Sequence, residues 1–200
     1  SRHLPYPCAF IHDADSAALS ELWVSPELSD GFYLSLSRHL GAAIISKRII
    51  LSGKHGHNST IEHIQMRPGG AKCYCGRQGC METLLSLESL LKEDETLDDF
   101  FRNARNGAFS ASGRWNRFLT DLADVINMLH LIYDTNFILG GYIAPYLCAE
   151  DLDFLYERIQ QLTPFAEPQD FLLISKMPRH SITIGAALPY IQAFLNKPDI

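Results

Sequence analysis

The string HIQMRPGGAKCYCGRQGC places His63, Cys73, Cys75 and Cys80 within eighteen residues. Three thiolates and one imidazole form a donor set suited to tetrahedral Zn²⁺. Glycines at 69, 70, 76 and 79 let the backbone turn tightly around a single ion. With four protein ligands, no coordination position is left for water, so the expected metal is structural. The site holds a loop, and other residues must supply binding or chemistry.

The loop sits in a chain that can build a core of its own. Two hundred residues at 46% hydrophobic suffice for one domain or two closely packed lobes. No uninterrupted apolar run approaches the ~20 residues of a membrane-spanning helix. The start, SRHLPYPCAF, lacks the charged-then-apolar plan of a signal peptide, and it reads as a fragment of a longer protein. Five cysteines, three of them clustered, point to metal binding in a reducing, cytoplasmic compartment. Cys8 and Cys148 lie in apolar surroundings and are expected to be buried small hydrophobes. A net charge of -6 without a basic stripe argues against DNA binding by these residues alone.

Hydrophobic periodicity orders the rest. CAFIH (8–12) reads as a short buried strand, and ADSAALSELW as a helix with Ala18, Leu19, Leu22 and Trp23 on one face. FYLSLS, LGAAIIS and IIL read as three strands separated by polar turns. ETLLSLESLL after the metal loop has a helical period, as do 96–108 and a longer run from Trp115 to Ile132. NFILGGY reads as a buried strand ending in a glycine turn. A helix over 151–162, a strand over 171–175 and a helix over 183–196 follow. Strands alternating with helices indicate an α/β fold.

CYCGRQGCMET, with a histidine ten positions before its first cysteine, closely resembles the zinc signature of the ROK family of repressors, open reading frames and sugar kinases. HDADSAALSE resembles that family's catalytic-aspartate segment, NFILGGY its late glycine turn, and SITIGAALPY its C-terminal helix. The resemblance implies an actin-like (ribonuclease H-like) ATPase fold with a sugar in its cleft. Residues 1–24 would end the N-terminal lobe, and 25–180 would form the C-terminal lobe carrying the zinc loop 63–82. Residues 181–200 would pack back as a helix.

The same resemblance assigns site residues. Asp13 stands where the family's general base takes a proton from the sugar hydroxyl; a carboxylate can orient that hydroxyl by accepting its hydrogen bond. By pattern alone Asp13 reads as a helix cap, a role Asp15 fills equally well. Glu82 matches the sugar-binding glutamate, although a first-turn glutamate also complements a helix dipole. His63 would hold zinc through one nitrogen and face a sugar hydroxyl with the other. His12 and Thr60 occupy positions where family kinases carry Asn and Glu, and neighbouring Glu62 offers a partial substitute for the latter. Gly41, Gly140 and Gly141 fall on the nucleotide side, and His55 and His57 on the loop or cleft rim.

The departures bear on function. The phosphate-contacting turn, G-T-G-x-G in the family, aligns with Ser37-Arg38-His39-Leu40-Gly41, whose side chains crowd the backbone. Arg38 and His39 read as a solvated polar turn or as anion binders. No D-x-G-x-T phosphate loop occurs in the chain. The resulting expectation is the effector region of a ROK-type repressor of carbohydrate-use genes, acting as a homodimer or homotetramer. Its zinc would be structural, its effector a sugar or sugar derivative, and its DNA contact confined to an N-terminal helix-turn-helix outside these residues. The alternatives are an ATP- and Mg²⁺-dependent sugar kinase and a sugar-binding pseudokinase.

Overall fold

Strand β1 (Gly31–Leu36) contributes six consecutive buried residues, a pattern that requires a sheet covered on both faces. The computed structural model, which describes residues 8–177 and 179–196, supplies that cover. Strand β2 (Leu40–Ser46) runs antiparallel to β1, and β3 (Ile49–Ile50) antiparallel to β2. Strand β4 (Phe137–Gly140) is parallel to β1, and β5 (Leu172–Ile174) is parallel to β4. The five-stranded order is β3-β2-β1-β4-β5. Successive side chains of a strand point to opposite faces. Phe32, Leu34 and Leu36 accordingly join one core with Trp115, Leu122, Ile126 and Leu155, while Tyr33 joins a second with Ala17, Ala18 and Leu22.

Among the described residues, seven α-helices surround the sheet. They are α1 (Asp13–Val24), α2 (Glu82–Leu85), α3 (Leu87–Leu90), α4 (Leu97–Arg105), α5 (Phe109–His130), α6 (Ala149–Leu162) and α7 (Ser181–Leu195). The α5 period is followed faithfully: Trp115, Phe118, Leu119, Leu122, Val125, Ile126 and Leu129 are all buried. Ile132 lies beyond the helix end and is exposed. ETLLSLESLL is not one helix, because Ser86 adopts extended backbone (ψ 161) between α2 and α3.

Other expectations fail for identifiable reasons. CAFIH is exposed and forms no strand. An apolar run becomes a strand only where a neighbouring strand takes its backbone donors and acceptors, and none of the described strands pairs with it. Cys8 is therefore exposed rather than buried. Cys148 is half-buried; its thiol donates to Asp151 Oδ2 (3.2 Å), so it works as the N-cap of α6 instead of as a small hydrophobe. Trp23 is exposed although it shares the expected face of α1.

Helices α1 and α7 cross at a backbone contact. A Cβ added at Gly185 would sit 1.6 Å from the carbonyl oxygen of Ser16. An exposed mid-helix Gly→Ala change gains about 1 kcal/mol from helix propensity. Here the clash with a main-chain atom should reverse the sign, so Gly185→Ala is expected to cost about 1–3 kcal/mol in denaturant titration. Among the described residues, no helix is long and apolar enough to cross a membrane.

Candidate functional site

The metal-type donors are brought together. The ligand atoms of His63, Cys73, Cys75 and Cys80 all lie within 4.8 Å of one another. Cys75 Sγ and Cys80 Sγ are 3.7 Å apart, as are Cys73 Sγ and His63 Nδ1. Thiolates at about 2.3 Å from a tetrahedral zinc stand about 3.8 Å from each other, so the spacing fits a closed four-ligand site. His55 and His57 stay outside the cluster and are exposed. The loop is built by local turns: Cys73 N donates to Arg77 O, and Gly76 N to Cys73 O. Gly79 has φ +71, and a Cβ there would meet Arg67 O at 1.5 Å, so this position demands glycine. An ion pair between Arg67 and Asp121 ties the loop to α5.

Without a cation, the thiols resist a common charge state. The backbone N–H of Arg77 pulls Cys75 down to about 6, whereas burial and the neighbouring thiols push Cys80 up to about 11. A bound dication removes that conflict by stabilising several thiolates together. The geometry assigns Nδ1 of His63 to the cluster. Its Nε2 lies 3.9 Å from Glu62 Oε1, and the other Glu62 oxygen is buried without a protein partner. Glu62, not Thr60, is thus the acid beside His63. Thr60 is exposed and donates to His57 O (2.9 Å).

Glu82 opens α2 and is nearly fully buried. Its Oε1 contacts His39 Nδ1 at 2.7 Å, and its Oε2 accepts from Leu40 N at 2.8 Å. The three-residue β1–β2 turn therefore lies against the end of the metal loop. Arg38 donates to Glu88 Oε1 (3.3 Å), and Ser37 Oγ accepts from Tyr142 N (3.4 Å). Arg38 and His39 are exposed, as a solvated polar turn requires, and each side chain of the turn also has a protein partner, two of the partners being carboxylates. Between the thiols, the Tyr74 ring stands edge-on to His39 (5.3 Å between centroids) and to His63 (5.0 Å). Burial and the nearby Glu62 and Glu82 carboxylates push its phenol up to about 12.

On the other side of β2, Asp13 is the exposed first residue of α1. Its Oδ1 accepts from Ala14 N (2.8 Å) and lies 3.7 Å from His12 Nδ1. Burial holds the neighbouring Asp15 carboxyl above the ordinary range. A Cβ added at Gly41 would come 3.9 Å from Asp13 Oδ1. Leu40 and Gly41 thus bring Glu82 and Asp13 to consecutive positions at the start of β2. Strand register extends the arrangement, since Gly41 pairs with Ser35 and Ser35 with Gly140. Gly141 has φ +82, and a Cβ there would meet Ser37 Oγ at 2.5 Å. A cleft of about 670 Å³ lies at the ends of β1 and β4, lined by Ser35, Ser37, Gly141, Tyr142, Arg179 and Thr183; Asp13, His63 and Glu82 are not part of its lining.

His39 and Tyr74 are the site residues that sequence reasoning undervalued. The only signal for His39 was its place in the altered turn, and Tyr74 was marked merely by lying between two metal-type ligands.

The mixed sheet with helices on both faces and a cleft at the ends of β1 and β4 has the actin-like ATPase fold of solved ROK proteins. The ROK family glucokinase of Streptomyces griseus, solved with glucose and AMPPNP, superposes with a TM-score of 0.77 at 21% identity; the match covers 96% of this chain and 70% of that one. The chain belongs to the ROK family, which it matches over residues 1–189. The N-acetylmannosamine kinase of Haemophilus influenzae is 27% identical over all of this chain and 68% of its own length. The DNA-binding transcriptional dual regulator NagC of Escherichia coli is 39% identical over 79 residues, which are 38% of this chain and 20% of NagC. Kinases and regulators are both relatives.

Proposed function

We propose that this chain is the sugar-sensing region of a ROK-type transcriptional regulator. The observation that carries the reading is the 37–39 turn. Ser37, Arg38 and His39 are all engaged by the protein itself, and the N–H of Leu40 is spent on Glu82. A turn that cradles phosphate needs close approach to its backbone N–H groups; here side chains stand at all three turn positions and the Leu40 N–H is taken by Glu82. The residues suited to a polyol are Asp13 and Glu82 beside the start of β2, with His12 next to Asp13 and with His63 and Glu62 on the metal loop. Zinc on His63, Cys73, Cys75 and Cys80 would be structural and would hold the wall that carries His63 and Glu82. Thr60 is left at the rim.

In this reading a sugar shifts the balance between DNA-bound and released states, so it must bind the two with different affinity. DNA contact belongs to parts of the intact protein outside these residues, and the assembly is a cytoplasmic homodimer or homotetramer. Residues 1–24 and 181–200 would belong with the other lobe, consistent with the packing of α1 on α7. The kinase reading draws support from the 27% match to the N-acetylmannosamine kinase, which spans all of this chain and 68% of that protein, and from the exposed carboxylate of Asp13.

One experiment separates them. The intact protein is heated with N-acetylmannosamine, N-acetylglucosamine or glucose, with and without Mg²⁺-ATP, while ADP release is followed. The expected result is sugar-dependent thermal stabilisation without ADP release. Asp13→Ala should abolish the stabilisation and leave zinc content unchanged. Sugar-dependent ADP release that Asp13→Ala removes would make the chain part of a kinase. A retained sugar response in Asp13→Ala would remove that residue from the site.

A further inference from the structure

We infer that His39 is an internal competitor for the Glu82 carboxylate: its imidazole holds the Glu82 oxygen that a ligand hydroxyl would use, and so sets sugar affinity. The inference rests on the sugar-cleft reading above and adds a residue that departs from the phosphate-turn pattern. Both Glu82 oxygens are already engaged, Oε1 by His39 Nδ1 at 2.7 Å and Oε2 by Leu40 N at 2.8 Å. The backbone donor is fixed in place by the β1–β2 hairpin, where Leu40 pairs with Leu36. The side-chain contact can leave by rotation about χ1. A carboxylate only accepts hydrogen bonds, so Nδ1 carries the proton and the ring donates as a hydroxyl would.

Exposure shows which partner faces outward. The Glu82 side chain is 5% exposed and the His39 side chain 49%. A ligand coming from solvent therefore meets the ring before the carboxylate. Tyr74 holds the ring from a second side, and the same Tyr74 ring meets His63. The loop tip thus supports the competitor, which connects its strength to the order of the 63–80 loop. Hydrogen bonds to charged groups are among the stronger ones in proteins. A sugar must replace this one rather than simply add its own.

The test is calorimetric titration of the intact, zinc-loaded protein with N-acetylmannosamine, N-acetylglucosamine and glucose. His39→Ala should bind the preferred sugar about tenfold more tightly than the unaltered protein, a factor corresponding to about 1.4 kcal/mol. Tyr74→Ala, an exposed substitution that keeps all four metal-type ligands, should give a smaller gain in the same direction. The gain of His39→Ala should vanish when Glu82→Ala is added. If the unaltered protein binds a sugar and His39→Ala binds it equally or more weakly, His39 is not a competitor, while the sugar-cleft reading stands. If no variant binds any of the sugars, the cleft reading falls and the competitor with it. Zinc content and melting temperature of each variant establish that the fold is intact.

Discussion

Protein purified without chelator is expected to carry one zinc per chain, and Cys75→Ser to lose it together with about 10 °C of thermal stability. Cys75 is exposed, so replacing sulfur by oxygen leaves the packing unaltered and any loss reports on the metal. Backbone bonds within the loop, such as Cys73 N to Arg77 O, Gly79 N to Ala71 O and Met81 N to Ile64 O, and the Arg67–Asp121 pair supply the rest of its order. Structural zinc in small domains binds with about 10–16 kcal/mol of apparent free energy. This loop is anchored on a folded sheet, so about 3 kcal/mol of that should appear as stability, or about 10 °C in a chain of this length. Metal analysis and a melting curve, each with and without chelator, check the prediction. A metal-free protein with the same melting temperature would sink it.

The second large effect is expected at Asp151, at the start of α6. Its carboxylate accepts from Arg105 (3.0 Å to Oδ1, with a second contact at Oδ2), from the Trp115 indole N–H (2.8 Å) and from Cys148 N (3.0 Å). Burial opposes its ionisation. The Arg105 guanidinium and the other donors outweigh that opposition and hold the carboxyl below 3.8. Asp151→Ala removes the acceptor for the buried Trp115 N–H and for Arg105 together, and should cost about 2–3 kcal/mol. The melting temperature should fall by about 6–10 °C.

The pH dependence follows from the direction of the shift. A carboxyl held low in the folded state contributes fully above its unfolded value, and the contribution is lost as pH falls through the lower folded value. The unaltered protein should therefore lose stability as pH falls below the ordinary aspartate range. Asp151→Asn, which keeps the shape but not the charge, should be less stable at neutral pH and should flatten that acid slope. Parallel slopes for the two proteins would remove Asp151 from the account.

Local signals were legible where chemistry or periodicity concentrated them. Three cysteines and a histidine among turn-forming glycines identify a metal-type loop without tertiary information, because the donor set and its glycines lie within one short segment. The α5 period was equally readable, since seven apolar residues at helical spacing define a single buried stripe. CAFIH and ETLLSLESLL misled for the opposite reason. The first needed a neighbouring strand, and the second is broken at Ser86 despite its helical period.

By itself, the sequence determined an α/β chain of ROK resemblance with a His/Cys loop and a carboxylate on each side of it, because those features are local. Only the tertiary structure decided what the altered turn does. His39 and Glu82 are 43 residues apart, and hairpin pairing of Leu36 with Leu40 brings the turn against the start of α2. Contacts at that separation depend on strand register and loop path, which no spacing rule encodes. The turn that read as a solvated departure from a phosphate cradle is, in three dimensions, the part of the chain that holds Glu82.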